Sequence, residues 1–473
     1  MHSAGTRRLT VSEIIDQRPL SRFQLSTITL CGLVLLLDGF DTQCIGFLAP
    51  SISETLAIPL KNFGPVFSAG LIGLMIAAMA MGPVADRWGR KWPVVLSALT
   101  FAIFALMTAR AVSLEQLIIF RFLTGLGLGG AMPNVVALTS EYSPKRLQAV
   151  FVGMLFVGMP LGALVGGLAS SVMIPLWGWR SVFYLGGILP LAIAIILVKA
   201  LPESVRFLTA RGKDASAISK IMREIAPEIS SAELDLSSAP PQHAHKRGVP
   251  GTPPVASAST EKNEGLPVRR LFTEERAAGT ILLWIPFFMN LLILYFIVNW
   301  LPGLLRQSGL AVSAGVIAVS LFSLGGIVGA LSEGRAMNSC GAYATLLAQF
   351  VISALLIGSL AFLTRSFASM MTVTFVLGVA IQGAQAGLNA LAAGFYPTTV
   401  RSTGVGWALG VGRVGSIVGP AIGGMLLSMG WTPQRIFLAG MAPALFASMA
   451  IFGSSRLRGQ ASALRAELDA GRA

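Results

Sequence analysis

The sequence predicts an all-α membrane protein with twelve transmembrane helices, arranged as two six-helix pseudo-repeats. Three observations predict this fold class. Of the 473 residues, 54% are hydrophobic and only 12% are charged, whereas soluble globular chains carry about 25% charged residues. Twelve apolar stretches are long enough to cross a hydrocarbon core of roughly 30 Å, which takes about 20 helical residues. Finally, several residue types recur in the same order in the two halves of the chain.

The twelve predicted spans are apolar windows that end at polar or charged residues. They fall near 23–47, 64–84, 92–109, 115–138, 148–172, 179–200, 280–304, 313–333, 342–363, 368–392, 403–428 and 434–454. They divide the chain into an N-terminal tail (1–22), a first six-helix bundle (23–200), a central loop (201–279), a second six-helix bundle (280–454) and a C-terminal tail (455–473).

The central loop differs sharply in composition from the spans on either side. Its middle, from Ser230 to Pro267, is rich in Pro, Ala, Ser, Gly and charge and has no apolar period. That composition predicts a disordered linker. Its flanks, near Glu203–Ile225 and Arg269–Ala278, are predicted to form short amphipathic helices on the membrane surface.

The distribution of basic residues predicts the orientation in the membrane. If the N-terminus is cytoplasmic, most lysines and arginines lie on the cytoplasmic side. The opposite loops then hold only Lys61, Arg110, Arg180, Arg306, Arg365 and Arg435. Short cytoplasmic loops carry an excess of Lys and Arg, so both tails are predicted to be cytoplasmic. The net charge of +14 therefore reflects topology rather than nucleic-acid binding. The first 22 residues are polar and are not expected to form a signal peptide.

The two halves share an ordered set of residues around their fourth and fifth spans. The first half contains, in this order, Asn134, Tyr142, Pro144, Arg146, Gly153, Gly166 and Gly167. The second half contains the same residue types in the same order, as Asn389, Tyr396, Pro397, Arg401, Gly406, Gly423 and Gly424. Duplicated halves are typical of secondary transporters, whose substrate site lies near the middle of the membrane, between the repeats.

Two acids, Asp38 and Asp41, lie well inside the first span. Their spacing of three residues puts both carboxylates on roughly one face of a helix. A carboxylate at the bilayer centre costs about 2.5–3.5 kcal/mol on insertion scales, so the pair indicates function. The three histidines lie in the tail and the linker, so no histidine inside the membrane competes for a proton-carrying role.

Two arginines are embedded in spans, and both occur among glycines. Arg121 in the fourth span precedes Gly125, Gly127, Gly129 and Gly130, and Arg413 lies in the glycine-rich eleventh span. A fixed cation at this depth can pair with a membrane carboxylate or with an anionic substrate. The alternative for Arg121 is that its side chain reaches the membrane interface along its own apolar stem.

Uncharged polar side chains interrupt three further spans. They are Asn134 in the fourth span, Asn290, Tyr295, Asn299 and Trp300 in the seventh, and Gln382, Gln385 and Asn389 in the tenth. Amides and aromatic rings suit a substrate that is itself a ring with polar substituents. The alternative is that they form hydrogen bonds between helices.

The loop after the second span carries the most specific short motif. Residues 82–91 read G-x-x-x-D-R-x-G-R-K and resemble the signature loop of the major facilitator superfamily. In it, Gly82 permits close helix contact, and Asp86 can cap the start of the third span or pair with a base. The three cations Arg87, Arg90 and Lys91, with Gly89 among them, are expected to hold the loop on the cytoplasmic side. The second half repeats this loop poorly, as Gly329 followed by Glu333, Gly334 and Arg335.

Four longer segments resemble the signatures of one branch of that superfamily, the aromatic acid:proton symporters. They are residues 38–50, 121–134, 201–207 and 401–413. The resemblance covers the whole chain apart from the linker and tails. It implies that Asp38, Asp41, Asp86, Glu141, Arg121, Arg401 and Arg413 matter for transport. Glu141 sits at the cytoplasmic end of the fourth span, where a plain interfacial acid is the alternative.

The resemblance implies uptake of an aromatic carboxylate, such as a hydroxybenzoate, benzoate or phenoxyacetate, together with protons. We expect proton coupling at Asp38 and Asp41, with substrate binding or charge pairing by Arg121, Arg413 and the amides and Trp300. Gating is expected of Gly82, Asp86, Arg87, Gly89, Arg90, Glu141 and Arg401. We expect a monomer in the bacterial inner membrane that uses the proton gradient and needs no cofactor or metal.

Three alternative functions differ in how well they agree with the same sequence features. One is a different carrier of the same superfamily, for a sugar, another organic anion or drug export. A second is a membrane sensor that binds a ligand without transporting it. An enzyme is the least compatible, because no metal-ligand cluster or nucleophile–base arrangement occurs in the sequence.

Overall fold

The computed structural model describes residues 11–210, 215–225, 271–273, 276–363, 366–397 and 400–470. Within these ranges the regular structure is helical, and twelve helices are long and apolar enough to cross a membrane. This confirms the predicted fold class. The predicted linker from Ser230 to Pro267 lies outside the described residues, and so do residues 1–10 and 471–473.

Each half of the chain contributes six long helices. The first half forms α1 (Arg22–Leu56), α2 (Gly64–Trp88), α3 (Lys91–Thr108), α4 (Leu114–Tyr142), α5 (Lys145–Trp177) and α6 (Trp179–Ala200). The second forms α7 (Ala277–Gln307), α8 (Val312–Cys340), α9 (Ala342–Leu360), α10 (Phe367–Phe395), α11 (Arg401–Ser428) and α12 (Met441–Ala470). Short helices are Val11–Gln17, Leu60–Phe63, Val205–Ala210, Ala215–Ile225 and Pro433–Ala439.

Several helices extend beyond the predicted spans. Helix α1 runs nine residues past the predicted end at 47, and α8 continues seven residues past 333. A hydropathy window ends at the first polar residues, such as Ser51 and Glu54. A helix ends only where its backbone hydrogen bonds stop, so it can continue beyond the apolar stretch.

The two halves pack in the same way, as a duplicated chain requires. In the first half α2 lies along α4, and in the second half α8 lies along α10. Each pair depends on glycine: a Cβ atom on Gly125 would collide with the carbonyl of Gly70, and one on Gly378 with the carbonyl of Phe322. Small residues let membrane helices approach this closely.

Among the described residues, the closest contacts between the halves lie toward one end of the bundle. We call the end with helix Val11–Gln17 and the α2–α3, α4–α5, α8–α9 and α10–α11 connections the tail face, and the opposite end the far face. At the far face, Arg306 Nε donates to Glu54 Oε1 at 2.9 Å, and Ser68 Oγ donates to the Ile417 carbonyl at 2.9 Å. Gly46 on α1 lies against the Val298 carbonyl on α7.

Toward the tail face several glycines of both halves have open space beside them. A Cβ atom would meet no atom within 4 Å at Gly82, Gly153, Gly334, Gly394, Gly406 and Gly410. The halves are therefore joined at the far face and apart at the tail face. The expectation that Gly82 permits close helix contact is wrong for this conformation, because no helix lies against it.

The contact at Gly46 makes a testable prediction. In Gly46→Val the larger side chain cannot fit between α1 and α7, so the far face should open. We expect a cysteine in place of Ser320, which is 1% exposed, to react several-fold faster with a membrane-impermeant maleimide. The background carries Cys340→Ser, because Cys340 is exposed.

The matched control is Gly410→Val, where the new side chain enters open space. It should leave the labelling rate unchanged. Equal rates in the Gly46→Val and Gly410→Val proteins would contradict the role of Gly46 in closing the far face.

Candidate functional site

A buried ion pair joins α1 to α4 in the middle of the first half. Arg121 Nη1 lies 2.9 Å from Asp41 Oδ2 and 3.1 Å from Oδ1, and Nη2 donates to the Asp41 carbonyl at 3.3 Å. Arg121 is 3% exposed and Asp41 is 0% exposed. Arg121 therefore points at an acid and does not extend to a membrane interface. Removing one partner of such a pair lowers the free energy of unfolding by about 3–5 kcal/mol, because the other charge stays buried without a partner.

Asp38 has different partners, although it lies one helical turn away from Asp41. Its Oδ1 accepts a hydrogen bond from Thr42 Oγ1 at 3.0 Å, and the carboxyl group is buried. Its electrostatic partner is Arg413 on α11, in the other half of the molecule. Arg413 is half-buried, with Nη2 3.9 Å from Met132 Sδ on α4. Asp41 is thus ion-paired within its own half, whereas Asp38 has only a longer-range electrostatic interaction with a cation of the other half.

A small cavity borders the ion pair. Its lining is formed by Thr42, Ile45, Phe67, Gly70, Leu71, Leu74, Arg121, Gly125, Leu128 and Asn299. The cavity has room for about one water molecule. Arg121 Nε is buried and without a hydrogen-bond partner among the described residues. Arg121 therefore combines a paired end with a spare donor beside a cavity that has aromatic and amide walls.

The structure brings one of the predicted amides to this cavity and places the others elsewhere. Asn299 lines it, while its Nδ2 donates to the Tyr295 carbonyl at 2.7 Å. Asn134 Nδ2 donates to the Gly130 carbonyl of its own helix at 2.8 Å. Gln385 accepts from Asn290 Nδ2 at 3.0 Å, which links α7 to α10.

Asn389 and Trp300, the remaining predicted binding residues of the second half, have different surroundings. Gln385 Nε2 also donates to Asn389 Oδ1 at 3.4 Å, and Asn389 is exposed. Trp300 is 1% exposed, donates from Nε1 to the Pro420 carbonyl at 2.9 Å, and packs edge-on against Phe67 with ring centroids 5.2 Å apart. In this conformation Trp300 is a packing residue that ties α7 to α11 and α2.

A second polar cluster lies at the tail face of the first half. Glu141 forms an ion pair with Arg90 and accepts from Ser204 Oγ at 2.6 Å. Glu203 accepts from the backbone N–H of Arg90 at 2.6 Å and of Lys91 at 3.2 Å. The expectation that Asp86 caps the start of α3 is therefore wrong, because Glu203 accepts those N–H groups and Asp86 is exposed.

Glycine is required at one position of this cluster. Gly89 has φ +90°, in the left-handed region, and a Cβ atom there would collide with the Glu203 carboxylate. Arg87 is exposed beside it. Glu203 and Ser204 belong to the signature segment 201–207, but the sequence predicts no role for either residue. The available signal was an acid and a hydroxyl directly after the sixth span.

The tail face of the second half has fewer charged contacts around its predicted gating residue, Arg401. Arg401 Nε donates to the Tyr396 carbonyl at 3.3 Å, and Arg401 is exposed. Burial raises the pKa of the Tyr396 hydroxyl, opposed by hydrogen bonds from Thr280 and Trp284. No acid accompanies Arg401 among the described residues near it, so the tail-face clusters of the two halves differ in charge.

Two six-helix halves around a buried ionic site define a membrane transporter. The sequence profile of the Major Facilitator Superfamily matches residues 31–364. The chain therefore belongs to the Major Facilitator Superfamily, a family of transporters and not of enzymes. Its twelve spans and its bacterial relatives indicate a multi-pass protein of the inner membrane.

Several bacterial transporters are similar over nearly the whole chain. The 4-hydroxybenzoate transporter PcaK of Pseudomonas putida is 38% identical, over 94% of this chain and 95% of that protein. The gallate transporter of Pseudomonas putida is 37% identical, over 95% and 96%. The benzoate transport protein of Acinetobacter baylyi is 32% identical, over 94% and 93%.

Solved structures agree with the fold. The xylose transporter XylE of E. coli, in a partially occluded inward open conformation, superposes with a TM-score of 0.67 at 15% sequence identity. The match covers 92% of this chain and 98% of that one.

The tail-face cluster predicts a difference between two neighbouring arginines. Arg90→Ala should lower the free energy of unfolding by about 1–3 kcal/mol, because Glu141 stays buried without its ion-pair partner and keeps only its interactions with Ser204 and Arg206. Arg87→Ala should change it by less than about 0.5 kcal/mol, because Arg87 is exposed. Thermal unfolding of both variants in the same detergent makes the comparison. Equal losses would mean that the Arg90–Glu141 pair does not stabilise the fold.

Proposed function

We propose that this protein imports an aromatic carboxylate together with protons, by alternating access between its two halves. The tail face is cytoplasmic in this proposal, because the basic loops lie there. The structure would then represent an inward-open state, with the halves joined on the outer side. The transporter works as a monomer, is driven by the proton gradient and needs no cofactor.

The observation that carries the proposal is the buried Asp41–Arg121 pair beside the cavity. With Asp41 ionised, the Arg121 guanidinium is engaged by two carboxylate oxygens and one carbonyl. A proton on Asp41 would remove the charge that holds Arg121, and the guanidinium would then be available to an anion. Proton binding would therefore favour binding of a carboxylate, and the two would be transported together.

Asp38 and Arg413 are a second acid and cation that interact, more weakly than Asp41 and Arg121. Their electrostatic interaction crosses from the first half to the second, so it changes whenever the halves move relative to each other. A substrate carboxylate that entered between them would meet Arg413 first, because this arginine is half-buried and Arg121 is fully enclosed.

The relatives and the residues of the cavity wall support the proposal that the substrate contains an aromatic ring. The similar proteins carry 4-hydroxybenzoate, gallate and benzoate according to their names, and each of these is a ring with a carboxylate. Phe67 and Asn299 supply a ring face and an amide beside Arg121. The cavity holds about one water, so a benzoate ring requires α2 and α7 to move apart.

Transport in a reconstituted system tests the proposal. Proteoliposomes that contain the chain should accumulate labelled 4-hydroxybenzoate when an inward proton gradient is imposed, and much less without it. An absence of any gradient effect would rule out symport. Accumulation of xylose in place of the aromatic acid would indicate another carrier, and ligand binding without counterflow would indicate a sensor.

The role of Asp41 makes a separate prediction. In Asp41→Asn the neutral amide imitates the protonated acid, so gradient-driven uptake should fall to the level seen without a gradient. Exchange of internal for external substrate should persist, because it requires no net proton movement. Asp38→Asn should have a smaller effect on uptake.

The matched control is Glu115→Gln, an exposed acid on the same helix as Arg121. It should leave uptake unchanged. Wild-type gradient-driven uptake by the Asp41→Asn protein would eliminate Asp41 as the coupling residue.

A further inference from the structure

A third buried acid lies in the second half, away from the ion pairs described above. Glu333 is on α8, is 3% exposed, and packs against α9 and α10. Its carboxyl group fits beside α10 only because that helix has glycine there. A Cβ atom on Gly387 would collide with Glu333 Oε1, and one on Gly383 would come within 3.1 Å of Oε2.

The hydrogen bonds of Glu333 do not suit an ionised carboxylate. Its Oε2 accepts from Gln349 Nε2 on α9 at 2.6 Å. Glu333 Oε1 and Gln349 Oε1 are both buried and both lack a partner among the described residues. Two acceptor oxygens of one interacting pair are thus without a donor. Buried polar atoms are almost always hydrogen-bonded, and one hydrogen atom shared between these two oxygens would satisfy both.

Among the described residues no counter-charge faces Glu333. The sequences of α9 and α10 contain no charged residue, and Tyr343 on α9 is their one titratable group. On α8 itself Arg335 is exposed, two residues further along. The first half provides the contrast, because its buried tail-face acid, Glu141, has both Arg90 and Ser204 as partners. An unpaired buried charge is strongly unfavourable, and such a group neutralises instead.

We propose that Glu333 binds a proton in this conformation and forms a carboxylic acid–amide pair with Gln349. The acid O–H on Oε1 donates to Gln349 Oε1, while Gln349 Nε2 donates to Glu333 Oε2. One proton therefore supplies the donor that both unpartnered oxygens lack, and it removes the buried charge. This is a second proton-binding site, separate from Asp38 and Asp41 and independent of the transported substrate.

Infrared spectroscopy of the full chain in lipid nanodiscs tests the proposal. A protonated carboxyl group has a C=O stretching band that a carboxylate lacks. We expect Glu333→Gln to lose part of this band relative to the wild type at neutral pH. The exposed acid variant Glu115→Gln should leave the band unchanged. A wild-type band in the Glu333→Gln protein would show that Glu333 is ionised, and the proposal would fail.

A second variant keeps the acid and removes its partner. In Gln349→Leu the Glu333 carbonyl loses the amide hydrogen bond, so its band should shift to higher frequency. This measurement decides the matter if the Glu333→Gln protein does not fold. An unshifted band would mean that Gln349 does not bind a protonated Glu333. Neither measurement depends on transport, so the outcome is separable from that of the proposed symport.

Discussion

The arrangement of the first half depends on the buried pair of Asp41 and Arg121. Neither charge can remain at this depth alone, because an unpaired buried charge is strongly unfavourable. The pair therefore fixes α1 against α4. The glycines around it allow the approach: Gly70 on α2 leaves room beside Arg121, and Gly125 lets α4 lie directly on α2. The cavity lies where these three helices meet α7.

The two halves are symmetric in packing but not in charge. Helices α2 and α4 correspond to α8 and α10, with glycine contacts in equivalent places. The membrane acids Asp38 and Asp41, however, belong to the first half, whereas the second contributes Arg413 and a set of amides. At the tail face, Glu141 has a cation and Glu333 has an amide. Duplication therefore preserved the helix contacts, while the polar chemistry of the copies diverged.

Contacts between the halves are concentrated at the far face, which has a consequence for motion. Among the described residues the polar contacts there are individually weak: an exposed ion pair and the hydrogen bond from Ser68, beside close glycine packing and the apolar contact of Phe67 with Trp300. Exposed ion pairs are worth only about 0–1 kcal/mol. A closure of this kind can open without unfolding either half. The Asp38–Arg413 interaction is the polar link at mid-depth that such a movement would alter.

The sequence by itself determined the twelve helices, the duplication and the position of the two membrane acids. These are local properties, because hydropathy and residue order are read directly along the chain. Only the tertiary structure decided which cation each acid meets, that Glu203 and not Asp86 caps α3, and that Glu333 is enclosed. Partners of this kind depend on how far each helix is rotated and where it ends. The rotation of each helix follows from packing against residues distant in sequence, such as Gly387 beside Glu333. Hydropathy along the chain does not determine this rotation.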